Sequence, residues 1–253
     1  MKALILSDLH SNIKALEAIL HEETDCDVIY CAGDFVDVGP CPNEIIEFSI
    51  KNKIKAVLGN HDQKIIDYYF NEMNSNSIIP EERLWYQHNA SIIDKSNLDY
   101  LNQLPNTLTF ELDGILYGMI HMYINYDVIL GPFAYQKFIN DNFEGNSKIE
   151  RLIFGHTHRQ GVCYVDGKKM WLNPGSIAYR TYLEPDDKSR MAEYMTISNG
   201  DIEFKKCNYD YESAAKDIIN CVGQVSIKDI QRSYERIITE DNFDQKMLSV
   251  KTN

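Results

Sequence analysis

The sequence predicts an α/β fold. Three observations carry that expectation: five short apolar runs, helical stripes between the first three runs, and later strand pairs centred on Asp-Gly or Asn-Gly. The runs are Ala3–Leu6, Val28–Cys31, Ala56–Leu58, Ile115–Ile120 and Leu152–Phe154. Short apolar runs bounded by polar residues read as strands of a sheet covered on both faces.

The first helix is expected from the stripe Ile13, Leu16, Ile19 and Leu20, with Ser11 or Asn12 as its N-cap. Pro42, Ile45, Ile46 and Ile50 mark a second, opened by Pro40 and Pro42. Alternating strand and helix at this end argue for a βαβ core. Gln63–Leu104 reads as mostly helical, interrupted at Asn71–Ser77 and at Pro80. Its aromatic residues, Tyr68–Phe70 and Trp85–Tyr86, read as helix core rather than as a substrate box. From Thr107 the pattern turns to strands. Thr107–Leu112 and Ile115–Ile120 flank Asp113-Gly114, and Gly161–Val165 and Lys169–Leu172 flank Asp166-Gly167. Tyr194–Ile197 and Ile202–Lys206 flank Asn199-Gly200, the strongest kind of short hairpin signal. Two helices close the pattern, one from Tyr211 to about Val222, the other marked by Ile227, Ile230, Tyr234, Ile237 and Ile238.

The 253 residues carry 38 Asp+Glu against 25 Lys+Arg, a formal charge of −13. That balance argues against a protein that grips long nucleic acid through many phosphate contacts. No run of 18 apolar residues exists, so no membrane span is expected. The first residues, MKALILSDLH, lack the apolar core of an export signal. The cysteines (Cys26, Cys31, Cys41, Cys163, Cys207 and Cys221) form no CxxC pair. They are expected as reduced thiols in a cytoplasmic protein.

Each apolar run stops at a polar cluster. The clusters begin at Ser7-Asp8-Leu9-His10, Gly33-Asp34, Gly59-Asn60-His61-Asp62, His121 and Gly155-His156-Thr157-His158. Ligands of open α/β sheets bind at the carboxyl ends of the strands, so these clusters are expected to converge. Five of the seven histidines lie in them; only His21 and His88 fall elsewhere. Carboxylate, imidazole and amide oxygen without cysteine suit Mn, Fe, Zn, Co or Ni rather than a thiolate-rich structural zinc. The set exceeds what one ion takes. Two ions sharing a carboxylate use it fully, and Asp34 is the natural bridge.

In order and spacing, these clusters resemble the signature of the calcineurin-like metallophosphoesterases, over about residues 2–220. Gly33-Asp34-Phe35-Val36-Asp37-Val38-Gly39-Pro40-Cys41-Pro42-Asn43-Glu44, and Asn173-Pro174-Gly175-Ser176 with Arg180 beyond, are similar to the small bacterial and archaeal branch. Ala178-Tyr179 stands where that branch often has Gln-Pro.

The resemblance implies a four-layer α/β/β/α sandwich of two mixed sheets flanked by helices, in a domain of residues 1–222, with 223–253 as a C-terminal helical extension. It implies one ion held by Asp8, His10, Asp34 and His158, and a second by Asp34, Asn60, His121 and His156. His61 would face the substrate, steadied by Asp62. The implied reaction is hydrolysis of phosphate mono- or diesters by a hydroxide bridging the two ions, with His61 as general acid. Arg159 and Arg180 are candidate phosphate contacts, and Tyr123, Tyr126 and Tyr179 candidate stacking residues. The expected partner is a small phosphorylated substrate, such as a nucleotide. Dinucleoside polyphosphates and phosphoproteins are alternatives on the same site, and a non-catalytic scaffold is the competing class. Oligomeric state is not legible.

Overall fold

The structure, a computed structural model, describes residues 1–72, 78–122, 131–146, 148–179 and 190–238. Two mixed five-stranded sheets lie face to face. The first has the order β10-β9-β1-β2-β3, built from β1 (Lys2–Leu6), β2 (Val28–Cys31), β3 (Lys55–Ala56), β9 (Ala192–Ser198) and β10 (Asp201–Cys207). In it β1, β2 and β3 are parallel, β9 runs against them, and β10 runs against β9. The second has the order β4-β5-β6-β8-β7, from β4 (Thr107–Leu112), β5 (Ile115–Ile120), β6 (Arg151–Ile153), β7 (Gln160–Asp166) and β8 (Lys169–Pro174). There β5, β6 and β8 are parallel.

The twofold period of the strands explains the layering. In β1, Ala3 and Ile5 point between the sheets, where they meet Tyr117 and Met119 of β5 and Ile153 of β6. Leu4 and Leu6 point the other way, into a core shared with the helices. That core takes Leu16 and Ile19 from α1 (Ile13–Glu22) and Ile45 and Ile46 from α2 (Pro42–Lys51). It also takes Ile65 and Ile66 from α3 (Asn60–Asn71), Ala90 from α4 (Trp85–Ile92), and Leu98 and Leu101 from α5 (Lys95–Asn102). Asn12 caps α1 by accepting a hydrogen bond from the Ala15 N–H. On the far side, α6 (Pro132–Asn142) covers the outer face of the second sheet through Tyr135, Phe138 and Ile139. The result is the four-layer α/β/β/α sandwich.

The last two helices, α7 (Tyr211–Ile219) and α8 (Ile227–Ile237), share a smaller apolar cluster with Trp85. Further hydrogen bonds pin α8 in place: Ser226 N–H to the Arg83 carbonyl, and Trp85 Nε1 to the Asp229 carbonyl. Among the described residues no disulfide joins the cysteines, and no helix is long and apolar enough to cross a membrane.

One buried carboxylate ties the end of α1 to the first sheet. Glu23 receives Lys2 Nζ and Lys205 Nζ, each at 2.7 Å, and the Tyr194 hydroxyl at 2.9 Å. Burial opposes its ionisation, but these donors prevail and hold the carboxyl down from 4.5 to about 2. A carboxyl held below its unfolded value stabilises the fold above that value and ceases to do so as pH falls through the folded value. Glu23→Gln is expected to lower stability at pH 7 by up to about 3 kcal/mol. In denaturant titrations the gap between variant and wild type should shrink from about pH 4.5 towards pH 2. A gap independent of pH would show that the ion cluster contributes nothing.

Candidate metal centre

The two parallel-strand groups bring their polar ends together at one rim. Asp8 and His10 follow β1, Asp34 follows β2, Asn60 and His61 open α3 just after β3, His121 follows β5, and His156 and His158 follow β6. Asp8, His10, Asp34, His156 and His158 all adopt positive φ, between 42° and 66°. Left-handed backbone costs a non-glycine residue about 1–3 kcal/mol, and such strain gathers where side chains must be aimed.

Two triads stand apart, one of Asp8, His10 and His158, the other of Asp34, His121 and His156, and a third, His10, Asp34 and His61, overlaps both. In the first, the Asp8 Oδ1 lies 3.3 Å from His158 Nε2, and His10 Nε2 lies 3.2 Å from the same nitrogen. In the second, Asn60 Oδ1 sits 2.9 Å from both His121 Nε2 and His156 Nδ1. Asp34 stands between them: its Oδ2 is 3.8 Å from His10 Nε2 and 3.2 Å from His121 Nε2.

The donor chemistry fits divalent ions. His10, His121 and His158 each direct Nδ1 at a main-chain carbonyl, of Val36, Ala32 and Tyr179 respectively. A ring whose Nδ1 donates to a carbonyl presents the Nε2 lone pair inward, the usual way a metal-binding imidazole is oriented. Asp34 divides its labour. Oδ1 accepts the His61 N–H at 2.9 Å, satisfying an orphan donor at the start of α3. Oδ2 is buried with no well-directed hydrogen bond, despite its imidazole neighbours. A buried carboxylate oxygen in that state is costly unless a cation meets it.

The local field points the same way. Burial opposes ionisation of Asp8 and Asp34, yet nearby imidazoles hold both carboxyls below the ordinary range. Burial also disfavours a charged His121, but the Asp34 carboxylate raises that imidazole to about 10. His10 is pushed down to about 3, by burial first and then by the charges of His61 and His158. The centre therefore draws positive charge towards Asp34. Away from the centre, the group of Glu23, Asp25 and Cys26 is already neutralised by lysines.

Glycines let the loops close. A Cβ on Gly59 would stand 2.0 Å from Asp34 Oδ1, and one on Gly155 would stand 1.9 Å from Ser7 Oγ. Neither position has room for a side chain. Asn173 braces the same region, donating to the Gly155 carbonyl at 2.7 Å, while Ser176 Oγ donates to the Asp8 carbonyl at 2.9 Å. The Asn-Pro-Gly-Ser stretch thus supports the loops that carry Asp8 and His156.

His61 lines the cleft beside the triads. Its Nδ1 is 2.6 Å from Asp37 Oδ2. Burial would lower this imidazole, but the Asp37 hydrogen bond and the Asp34 charge raise it above its ordinary value. The expectation that Asp62 steadies His61 is therefore corrected. The Asp62 carboxylate points away and accepts four main-chain N–H groups, from Asp34, Phe35, Val36 and Gly59, at 2.8–3.1 Å. Asp62 holds the Asp34 loop against α3, and Asp37 holds the imidazole. Asp37 reaches it because it and Val38 have φ of 68° and 64°, which curls the loop back. Asn89 secures that curl by accepting the Asp37 N–H and donating to the Gly39 carbonyl, both at 2.9 Å.

The expected phosphate contacts fare differently. Arg159 is exposed and does not wall the cleft. Arg180, Tyr123 and Tyr126 lie outside the described residues. Tyr179 is present, with its ring 4.3 Å from that of His158. The cations that do wall the cleft are Lys64 of α3 and Lys228, Arg232 and Arg236 of α8, which the sequence reading passed over. Their spacing of four residues along α8 was the available signal. The cleft has a volume of about 480 Å³, within the usual range of about 300–1,000 Å³ for small-molecule sites.

Residues 1–200 match the calcineurin-like phosphoesterase superfamily domain. An uncharacterised protein of Methanocaldococcus jannaschii is 28% identical over 238 residues, covering 85% of this chain and 90% of that protein. A symmetrical bis(5'-nucleosyl)-tetraphosphatase of Buchnera aphidicola is 31% identical over 211 residues, 81% of this chain and 65% of that enzyme. In fold, the crystal structure of a metallophosphoesterase from Sphaerobacter thermophilus superposes with a TM-score of 0.70 at 22% identity, covering 92% of this chain and 98% of that one. The family match spans all the strand-end clusters, and the chain belongs to the calcineurin-like phosphoesterase superfamily.

Proposed function

We propose that this chain is a dinuclear metal-dependent phosphoesterase acting on small phosphate esters. One observation carries the reading: two triads of metal-type ligands meet at Asp34, whose buried Oδ2 makes no well-directed hydrogen bond, beside a His61–Asp37 pair. Asp8, His10, Asp34 and His158 would hold one ion, and Asp34, Asn60, His121 and His156 the other. When bound, such ions offset the charge of the phosphoryl oxygens and bring a water's pKa from about 15.7 to near 7. The chain supplies the rest. Asp37 raises the His61 imidazole and fixes its ring, and His61 would donate a proton to the leaving oxygen. Asp62 and Asn173 keep the strand-end loops at fixed separation, so that the phosphoryl group is met in line. The likeness to the Buchnera tetraphosphatase supports nucleotides, dinucleoside polyphosphates among them, as the substrates to test first.

The test is metal removal and reconstitution. Chelation is expected to abolish hydrolysis of a bis(nitrophenyl) phosphate, a nucleotide monoester and diadenosine tetraphosphate. Adding back Mn, Fe, Co, Ni or Zn should restore at least one of these by about 10³-fold or more. A chain that binds two ions and hydrolyses none of the three would be a scaffold, not an enzyme.

A further inference from the structure

We infer that α8 reads the leaving group: Lys228, Arg232 and Arg236 form a cationic stripe that binds a further phosphate carried by the group that departs. The inference rests on the phosphoesterase reading and specifies its substrate class.

The stripe is a consequence of helical geometry. Residues at i, i+4 and i+8 lie on one face, so Lys228, Arg232 and Arg236 stand in a row about 12 Å long. The opposite face of α8 buries Ile230, Tyr234 and Ile237. All three cations wall the cleft that His61, His156 and His158 also wall. The acidic residues of α8 do not cancel the row. Asp229 turns its carboxylate to the Trp85 N–H at 3.3 Å, and Glu235 is taken by Gln231 at 2.7 Å. Among the described residues, no carboxylate forms an ion pair with any of the three cations. Like charges four apart on a helix cost about 0.2–0.5 kcal/mol per pair, so the row is unfavourable until an anion lies along it. In a chain of net charge −13, an uncompensated cationic row on the wall of a cleft is an anion site.

The row is coupled to the centre at one end. The Arg236 guanidinium lies 4.4 Å from the Tyr179 ring centre, and that ring lies 4.3 Å from the His158 ring. Arg236 is thus held one aromatic ring from the candidate ligands, by a contact that suits guanidinium on an aromatic face. Lys228 ends the row away from them.

His61 gives the row its direction. In an in-line displacement the general acid sits on the side of the leaving oxygen. His61 shares its cleft with the stripe, so the leaving group departs along α8. A water oxygen bonds to phosphorus and releases its proton to solvent. The bond from phosphorus to the leaving oxygen breaks, and the His61 proton goes to that oxygen. A leaving group that itself bears phosphate, as an alkoxide phosphorylated elsewhere or as part of a polyphosphate, then keeps its charge against Arg236, Arg232 and Lys228. Lys64 is a lesser contributor, being 3.8 Å from Asp37 and stacked on Tyr86.

The experiment uses the full manganese-loaded chain with Arg232→Ala, Arg232→Glu and Lys228→Ala. These side chains are exposed, so folding is not at stake. The first measurement is the ratio of kcat/KM for diadenosine tetraphosphate to that for bis(nitrophenyl) phosphate, whose leaving group carries no phosphate. The ratio is expected to fall about 10- to 100-fold in Arg232→Ala, the fold-change for losing one hydrogen bond to a charged group, and further in Arg232→Glu. The second is calorimetric binding of inorganic tripolyphosphate at fixed excess manganese, expected to weaken in the same order. An unchanged ratio with unchanged tripolyphosphate affinity would make the stripe an ordinary solvated helix face. Tripolyphosphate binding that depends on Arg232 in a chain hydrolysing neither ester would overturn the phosphoesterase reading and leave the anion site standing.

Discussion

Asp34→Ala is expected to remove hydrolysis and both metal ions together. Every other candidate ligand would serve one ion in the proposed assignment, whereas Asp34 lies between the triads, with Oδ2 within 4 Å of an imidazole from each side. Its loss also leaves His121 without the carboxylate that raises its imidazole. The expected fall in kcat/KM is at least about 10³-fold, more than 4 kcal/mol of transition-state stabilisation. The alanine variant has a side effect, because Oδ1 also accepts the His61 N–H, a capping bond worth about 1 kcal/mol. Asp34→Asn separates the two roles, since it retains an amide oxygen for the cap and loses the charge. Both variants should fold, melt within a few degrees of wild type, and contain fewer than one ion per chain by elemental analysis. Two ions per chain in Asp34→Ala would end the bridging assignment.

His61→Ala should keep both ions and lose the proton donor. With an alkoxide leaving group the expected loss in kcat is about 10²–10⁴-fold. With a nitrophenolate, which departs without a proton, the loss should be much smaller. Equal losses on the two esters would remove His61 from the general-acid role. Asp37→Asn supplies the pH test. The acid must be protonated to act, so activity falls as pH rises through the His61 pKa. Asp37 raises that pKa, and its neutralisation should move the basic limb of kcat to lower pH. A basic limb that stays in place would mean that another group titrates there.

Most of the architecture was written locally. The turns Asp113-Gly114, Asp166-Gly167 and Asn199-Gly200 join β4 to β5, β7 to β8 and β9 to β10. In each case a residue able to take positive φ stands where the tight turn needs it. Two expectations were less complete. Helix α6 was not foreseen: it buries only Tyr135, Phe138 and Ile139, and Phe133 is 92% exposed, so its apolar pattern is faint. The run at Ala56–Leu58 yields only Lys55–Ala56 as β3, because the Leu58 N–H leaves the sheet to bond the Pro105 carbonyl.

The sequence by itself determined the identity of the candidate ligands. Parallel strands align their carboxyl ends along one edge, so polar residues following those strands share a rim whatever the details of packing. Which carboxylate serves which neighbour was decided only in three dimensions. Asp62 adjoins His61 in sequence and was expected to steady it, yet Asp37, 24 residues away, is the carboxylate that reaches the imidazole. The left-handed turn at Asp37 and Val38 turns one towards the imidazole, while the start of α3 engages the other with N–H groups. The same holds for the cations. Lys228, Arg232 and Arg236 read alone as the wet face of an amphipathic helix, and only the docking of α8 beside Trp85 sets that face on the wall of the cleft that His61, His156 and His158 also line.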